Sequence, residues 1–484
     1  MSKSIKQLTK ETQARHSAAM DAKNFQVLAE DIIPTYNHLL NQAPNDITLL
    51  FLLGTAHSQL GNSGLAIHIF RRCLQVEGDN HPEFWNNMGS CYKTEHMIKE
   101  ARECFEKALA LRPNDASYYS NMATLYINEG DPETGLEHST KSLELDPTSV
   151  KNHWNHALLL LEAGHIEEGF IEYDAGLLSA DRPNRLYGSV PFYQGEDPYE
   201  DLKGKTVVVY GEQGIGDELL FASALPDLLT AVGNGMLVYE CHDRLENVMR
   251  RSFPGITIKP TRKDSTPPPE IEEVIKPDYR IAIGSLFRFF GVRKRPPYLV
   301  AKPELVDHYK RKLREAGPGP YIGIGYAGGT KKTHAHARNT KITPLFPILQ
   351  AVPCTLVSLQ YTDEATEKFN RLREQSDITV HHWPSTLYSW KTEGEKYPGF
   401  DYDYTIALIA ALDLVVVPNT AVVHVCGALG KPCYTLTPDK CAWRYRNNGQ
   451  HMLWYFDHVT LFREDGDMSR AINTVADRIR RDFK

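Results

Sequence analysis

The chain has 484 residues, 42% of them hydrophobic and 24% charged, with a formal charge of −7. That length predicts about two to four domains with sizeable cores. The acidic balance disfavours nucleic-acid binding by the whole surface and leaves room only for a local basic cleft. No apolar run reaches transmembrane length, and Met1 to Lys23, polar and mixed in charge, does not read as a secretory signal. The eight cysteines are scattered without a CxxC pair, which predicts a reduced, cytoplasmic protein.

Self-similarity at a period of 34 residues opens the chain. Asn87-Met88-Gly89, Asn121-Met122-Ala123 and Asn155-His156-Ala157 are evenly spaced, and Pro113 and Pro147 repeat the interval. Within one unit the order is Trp85, Met88, Gly89, Tyr92, Ala101, Phe105, Ala108, Pro113. This resembles the tetratricopeptide pattern: small residues where paired helices touch, large ones between them, proline ending the second helix. An earlier copy runs Gly54, Ala66, Phe70, Cys73, and a last one decays through Gly169, Tyr173 and Gly176. The expectation is an α-helical solenoid of about four repeats over residues 1–180. Asn87, Asn121 and Asn155 would then stand on inner helices, where carboxamides can bond the backbone of an extended peptide; asparagine is also common at this repeat position. Trp85 and Trp154 read as packing residues.

Residues 181–203, rich in proline, glycine, acids and tyrosine, read as a connector. Beyond it, strand-like and helix-like segments alternate, which predicts a doubly wound α/β architecture. Thr206–Tyr210 is an apolar strand, followed by a glycine turn with Gly211, Gly214 and Gly216 and a helix from Glu218. Further strands are expected at Met236–Glu240 and Arg280–Ile283, with Thr261 to Pro277 as a loop. A second series is expected at Tyr321–Tyr326, Thr355–Leu359, Thr379–His381, Asp413–Val417 and Pro432–Thr435. The reading is two Rossmann-like domains, 204–315 and 316–484, facing across a cleft, with ligands at the carboxyl ends of the strands.

Three clusters carry chemistry. The glycine turn presents Glu212 and Asp217 beside a helix N-terminus with free N–H groups. In DLVVVPNTAVVHVCGALGKPCYTL, Asn419 or Thr420 can cap the helix from Ala421, and a diphosphate there would meet the helix dipole. Tyr326 to Leu345 is rich in Gly, Lys, Thr and His, with Lys331, Lys332, Arg338 and Lys341 as candidate cations for a phosphorylated ligand. His334 and His336 lack a matched acid and read as polar loop. In the string Asp401-Tyr402-Asp403, helix capping by Asp403 is simpler than a metal site.

The order of these pieces resembles a tetratricopeptide-repeat protein with a carboxy-terminal GT-B glycosyltransferase of the heptosyltransferase-like kind, similar in organisation to the O-linked N-acetylglucosamine transferases. The resemblance rests on Glu212–Leu228, Ala407–Leu436 and Trp443–Glu464. It implies a nucleotide-diphosphate sugar as donor on the second α/β domain, an acceptor at the first, and no cofactor or metal. It assigns the base to Asp217, with Glu212 as runner-up, and a phosphate-contacting lysine to Lys341 in NTKITP. Thr420, Ala421 and His424 fall on its diphosphate-binding helix, and Gly214, Gly216, Asn419 and Arg338 join the donor site. Relatives commonly carry aspartate where this chain has Asn419, which puts donor choice or activity in question. Trp443 and Arg444 are expected to pack the last helix or close the cleft. The expected function is transfer of a sugar to an acceptor hydroxyl, on a protein recruited by the repeats. The alternatives are an inactive adaptor, or a transferase acting on a glycan, a lipid precursor or a modified nucleobase. A homo-oligomer is compatible with the sequence.

Overall fold

The computed structural model describes residues 4–179, 181–261, 267–328, 342–360, 364–383, 401–439, 441–445, 449–455 and 457–484. The chain divides into two compact units, Met1–Leu160 and Leu161–Lys484. No helix among the described residues is long and apolar enough to cross a membrane.

The first unit is helical. Three antiparallel pairs follow one another: Ile47–Gln59 with Ser63–Glu77, Pro82–Thr94 with Ile98–Leu111, and Ala116–Glu129 with Pro132–Leu145. Their starts are written locally. Asp46 accepts the Leu49 N–H at 3.0 Å, Asp115 that of Ser117 at 3.0 Å and Asp131 that of Thr134 at 3.2 Å. Pro82 and Pro132 stand in first turns, where a missing N–H costs nothing. The pairs close on small residues: a Cβ on Gly54 would lie 2.8 Å from the Phe70 ring, and one on Gly89 would lie 2.7 Å from the Phe105 ring. Ile5–Asp21 and a helical run from Phe25 to Gln42 precede the repeats.

The asparagine ladder differs from the expected peptide-binding one. Asn121 Nδ2 donates to Asn86 Oδ1 at 2.8 Å, and Asn155 Nδ2 donates to Ser120 Oγ at 2.8 Å. These amides tie each inner helix to the one before it. Asn155 is also buried. Asn87 is half-buried and, among the described residues, has no such rung to a preceding inner helix.

The second unit contains two parallel sheets flanked by helices. The first has β1 (Thr206–Tyr210), β2 (Met236–His242), β3 (Thr257–Thr261) and β4 (Tyr279–Ala282) in the order β3-β2-β1-β4. The second has β5 (Tyr321–Ile324), β6 (Thr355–Ser358), β7 (Val380–His381), β8 (Leu414–Pro418), β9 (Cys433–Thr437) and β10 (Val459–Arg463), in the order β10-β9-β8-β5-β6-β7. All the ladders are parallel. Strand order reverses beside β1 in one sheet and beside β5 in the other, and such switch points are where doubly wound sheets hold ligands. β3 and β10 were not anticipated. β3 contains Pro260, which the sheet tolerates because β3 lies at its edge.

Phe105 is fully buried against Gly89 in the middle repeat. Phe105→Ala should destabilise the helical unit by about 3–5 kcal/mol, read by denaturant titration of the full chain followed by far-UV circular dichroism.

Candidate functional site

The first switch point is filled by the chain itself. Glu212 follows β1, is fully buried, and accepts the Gly284 N–H beyond β4 at 2.9 Å. Arg182 Nε donates to Glu212 Oε2 at 2.7 Å and Nη2 to Oε1, a two-pronged pair. The same guanidinium donates to the Tyr173 carbonyl at 2.8 Å and stands 4.2 Å from the centre of the Tyr173 ring. One strand over, Arg185 donates to Glu240 at 2.6 Å and to Thr261 at 2.9 Å, while the Tyr187 hydroxyl donates to the other Glu240 oxygen. Glu212 is therefore no base. Its two oxygens are taken, and no acceptor hydroxyl can reach a carboxylate buried under an arginine. Residues Arg182 to Tyr187, read in the sequence as connector, are built into the sheet's carboxyl edge.

The glycine turn then starts the helix Ile215–Ala222, with Gly214 at its N-cap. A Cβ on Gly216 would stand 3.3 Å from Ala421 Cα and 3.2 Å from His424 Cδ2. Both distances are tighter than an ordinary contact, so glycine suits the close approach of this helix to the start of the helix Ala421–Leu429, which follows β8. Two helix N-termini from two sheets thus abut, each with unsatisfied N–H groups. Asp217, in the first turn of one, is ion-paired with Arg444. Arg444 lies over the Trp443 ring at 5.0 Å, and its carbonyl accepts the Trp454 Nε1–H at 3.0 Å. Trp443 and Trp454 pack with Phe170 and Phe287, not on the last helix Met468–Asp482 as one reading of the sequence had it.

Glu218 is turned inward beneath the turn. It accepts the Tyr239 hydroxyl at 2.7 Å and the His242 N–H at 2.8 Å, and burial pushes its pKa up to about 7. His424 is buried between two tyrosines, Nδ1 at 3.2 Å from the Tyr455 hydroxyl and Nε2 at 3.1 Å from that of Tyr445. Burial, aided by the Arg444 charge, pushes its pKa down to about 3, so it is a neutral ring with one donating and one accepting nitrogen. Both nitrogens are occupied, and His424 supports the helix start from below without offering a ring nitrogen to a ligand.

At the second switch point, Thr420 is the N-cap in extended conformation, and its hydroxyl makes no capping bond. Its Oγ1 is buried without a hydrogen-bond partner among the described residues. Gly328, beyond β5, lies against the Thr420 methyl: a Cβ there would come within 2.7 Å. Asn419 is fully buried, and its Oδ1 accepts the Thr437 hydroxyl at 3.2 Å, joining β8 to β9. Through that oxygen it braces the sheet floor. Lys331, Lys332, His334, His336, Arg338 and Lys341 lie outside the described residues. In the DYD string, Asp401 accepts the Asp403 N–H at 2.9 Å, and Asp403 holds Arg251 of the helix Glu246–Ser252. Asp403 is the first residue of the helix Asp403–Ala411, whose N-cap is Tyr402 and makes no side-chain capping bond, so the expected capping by Asp403 is replaced by its pairing with Arg251.

The structure thus brings together Gly214, Gly216, Asp217, Thr420, Ala421 and, by an ion pair that sequence reasoning missed, Arg444. The one available signal for Arg444 was its place in the WRYR string of the matching tail.

Tetratricopeptide-repeat family models match residues 47–80, 82–115 and 104–137. The helical unit carries tetratricopeptide repeats. Protein FlbA of Caulobacter vibrioides is 30% identical over 269 residues, which cover 53% of this chain and 43% of FlbA. The chain thus spans less than half the length of that curated relative. Among solved structures, a thermophilic tetratricopeptide protein of Thermus thermophilus is 13% identical, covering 37% of this chain and 92% of its own, with a TM-score of 0.32. PilF of Pseudomonas aeruginosa is 15% identical, covering 52% of this chain and 95% of its own, with a TM-score of 0.33.

Two outcomes follow from the charges. Arg182→Met strands Glu212 as a buried unpaired carboxylate and should cost about 3–5 kcal/mol of stability in chemical denaturation. Glu218 has a folded pKa near 7 against an ordinary 4.5, so the native state holds its proton longer than the unfolded chain does. Its contribution is complete below 4.5 and is lost as pH rises through 7. Glu218→Gln should therefore match the wild type at low pH and exceed it in melting experiments above neutrality, by on the order of 1–3 kcal/mol.

Proposed function

We propose that the chain is a glycosyltransferase that takes a nucleotide-diphosphate sugar at the second α/β sheet and passes the sugar to a hydroxyl of a protein. Tetratricopeptide repeats form extended concave surfaces for protein segments, so the helical unit supplies the acceptor. The observation that carries the reading is the meeting of two helix N-termini at Gly216 and Ala421, one bearing Asp217. N–H groups aimed at one place stabilise charge growing on a departing diphosphate. Asp217 would take the acceptor's proton as its oxygen attacks the anomeric carbon. Thr420 and Ala421 would hold the diphosphate, with Lys341 and Arg338 as its further cations. The two-domain GT-B arrangement belongs to the same proposal, as does the absence of a metal from the chemistry.

A second reading is favoured by a specific observation: Asp217 is held by Arg444, and Arg182 occupies the first switch point. A repeat-bearing adaptor with a transferase fold and no turnover would look the same. Incubating the full chain with uridine, guanosine and adenosine diphosphate sugars and a host-cell protein extract as the source of acceptor, and assaying release of the nucleoside diphosphate above that of the extract alone, separates the two. The transferase releases it from at least one donor and Asp217→Asn lowers the rate by about 100-fold or more. Equal background release by wild type and Asp217→Asn for every donor leaves the adaptor.

A further inference from the structure

Among the described residues of the candidate site, Arg444 and Asp217 form the contact that pairs a base of the proposed reaction with a cation from the opposite sheet's tail. Their side chains are 16% and 22% exposed, shielded but not sealed. Arg444 Nε is buried without a hydrogen-bond partner among the described residues, so the fork has donor capacity left over. The surrounding charge is unbalanced. Each helix N-terminus contributes roughly +0.5 of an elementary charge, and Arg444 adds one. Asp217 answers only about half of that positive charge, and neutral His424 answers none. Glu218 is turned away into the floor, where its Oε1 accepts from both the Tyr239 hydroxyl and the His242 N–H. Among the described residues, a second anion is what this geometry lacks.

We infer that Arg444 is a latch shared between two anions: it masks Asp217 in the resting chain and transfers to the donor's diphosphate, which unmasks the base only when a donor is bound. The inference rests on the transferase reading and names how that site is regulated. In the step that follows, the acceptor oxygen bonds to the anomeric carbon and gives its proton to Asp217. The bond from that carbon to the diphosphate oxygen breaks, its electron pair stays on the diphosphate, and Arg444 pairs with the charge that results. A planar guanidinium suits the exchange because carboxylate and phosphate fit the same fork. Unmasking Asp217 before a donor arrives would leave a bare base beside water, so the latch also keeps acid–base chemistry idle between turnovers.

The test is calorimetric titration of the full-length wild type, Arg444→Met, Arg444→Lys, Asp217→Asn and the Asp217→Asn/Arg444→Met double variant with uridine, guanosine and adenosine diphosphates. Circular dichroism checks folding. Arg444→Met should bind the preferred diphosphate about 10- to 100-fold more weakly, and Arg444→Lys should recover part of that. Asp217→Asn frees the guanidinium and should bind about 5-fold or more tightly than wild type, a gain that disappears in the double variant. A gain of equal size in both backgrounds is plain charge repulsion and overturns the latch. So does unchanged affinity in Arg444→Met, which leaves the pair a mere brace between sheets. If Arg444→Met does not fold, Arg444→Lys takes its place in the same cycle. Failure of the wild type to bind any of the three diphosphates overturns the transferase reading along with the latch.

Discussion

The closeness of two helix starts at Gly216 is the constraint on which the second unit depends. A Cβ there would stand 3.2 Å from His424 and 3.3 Å from Ala421, tighter than ordinary contact, so the two helix starts would have to give way by a few tenths of an ångström. With hydrogen as the side chain, the first turn of one helix and the first turn of the other share a floor. His424 stays a neutral spacer between Tyr445 and Tyr455 because it is buried beside the Arg444 charge. The aromatic group of Phe170, Phe287, Trp443 and Trp454 then fixes the tail that carries Arg444. The arrangement at this place is a result of packing first and of charge second.

Buried charge does a different job at the first sheet. Glu212 and Glu240 lie at the carboxyl ends of β1 and β2, where a ligand's polar groups would otherwise be bound, and each is neutralised by an arginine from just before the sheet. Ion pairs this deep gain little net stability over a hydrophobic filling, but losing one partner is expensive. They tie the segment from Tyr173 to Tyr187 to the sheet's carboxyl edge. Asp174 extends it by accepting from Ser285 and Arg288.

The fold was legible where local physics decides it. The spacing of Gly54, Gly89, Phe70 and Phe105 is a direct image of helix-pair contact, and runs such as Thr206–Tyr210 and Leu414–Pro418 are β-branched because both sheet faces are covered. The strands missed, β3 and β10, are edge strands, where one unpaired side tolerates Pro260 and the mixed pattern of Phe462 and Arg463. Asp217, Gly216 and Ala421 could be found because each sits in a local strand–turn–helix motif. The partners could not: Arg182, Arg185 and Arg444 bond to acids 30, 55 and 227 residues away. The asparagine ladder was open in the sequence for a related reason. Periodicity places a side chain on a helix face, but whether its amide meets a peptide or the preceding repeat depends on helix spacing that one sequence does not state.

The pairing of Arg182 and Arg185 with the sheet has a consequence for dissecting the chain. A fragment cut at residue 204, where the α/β pattern begins, would carry two naked carboxylates in its interior and would be expected to aggregate or melt. The α/β half can be isolated only with the stretch from Leu161 attached, so the segment that reads as tether is part of what it tethers.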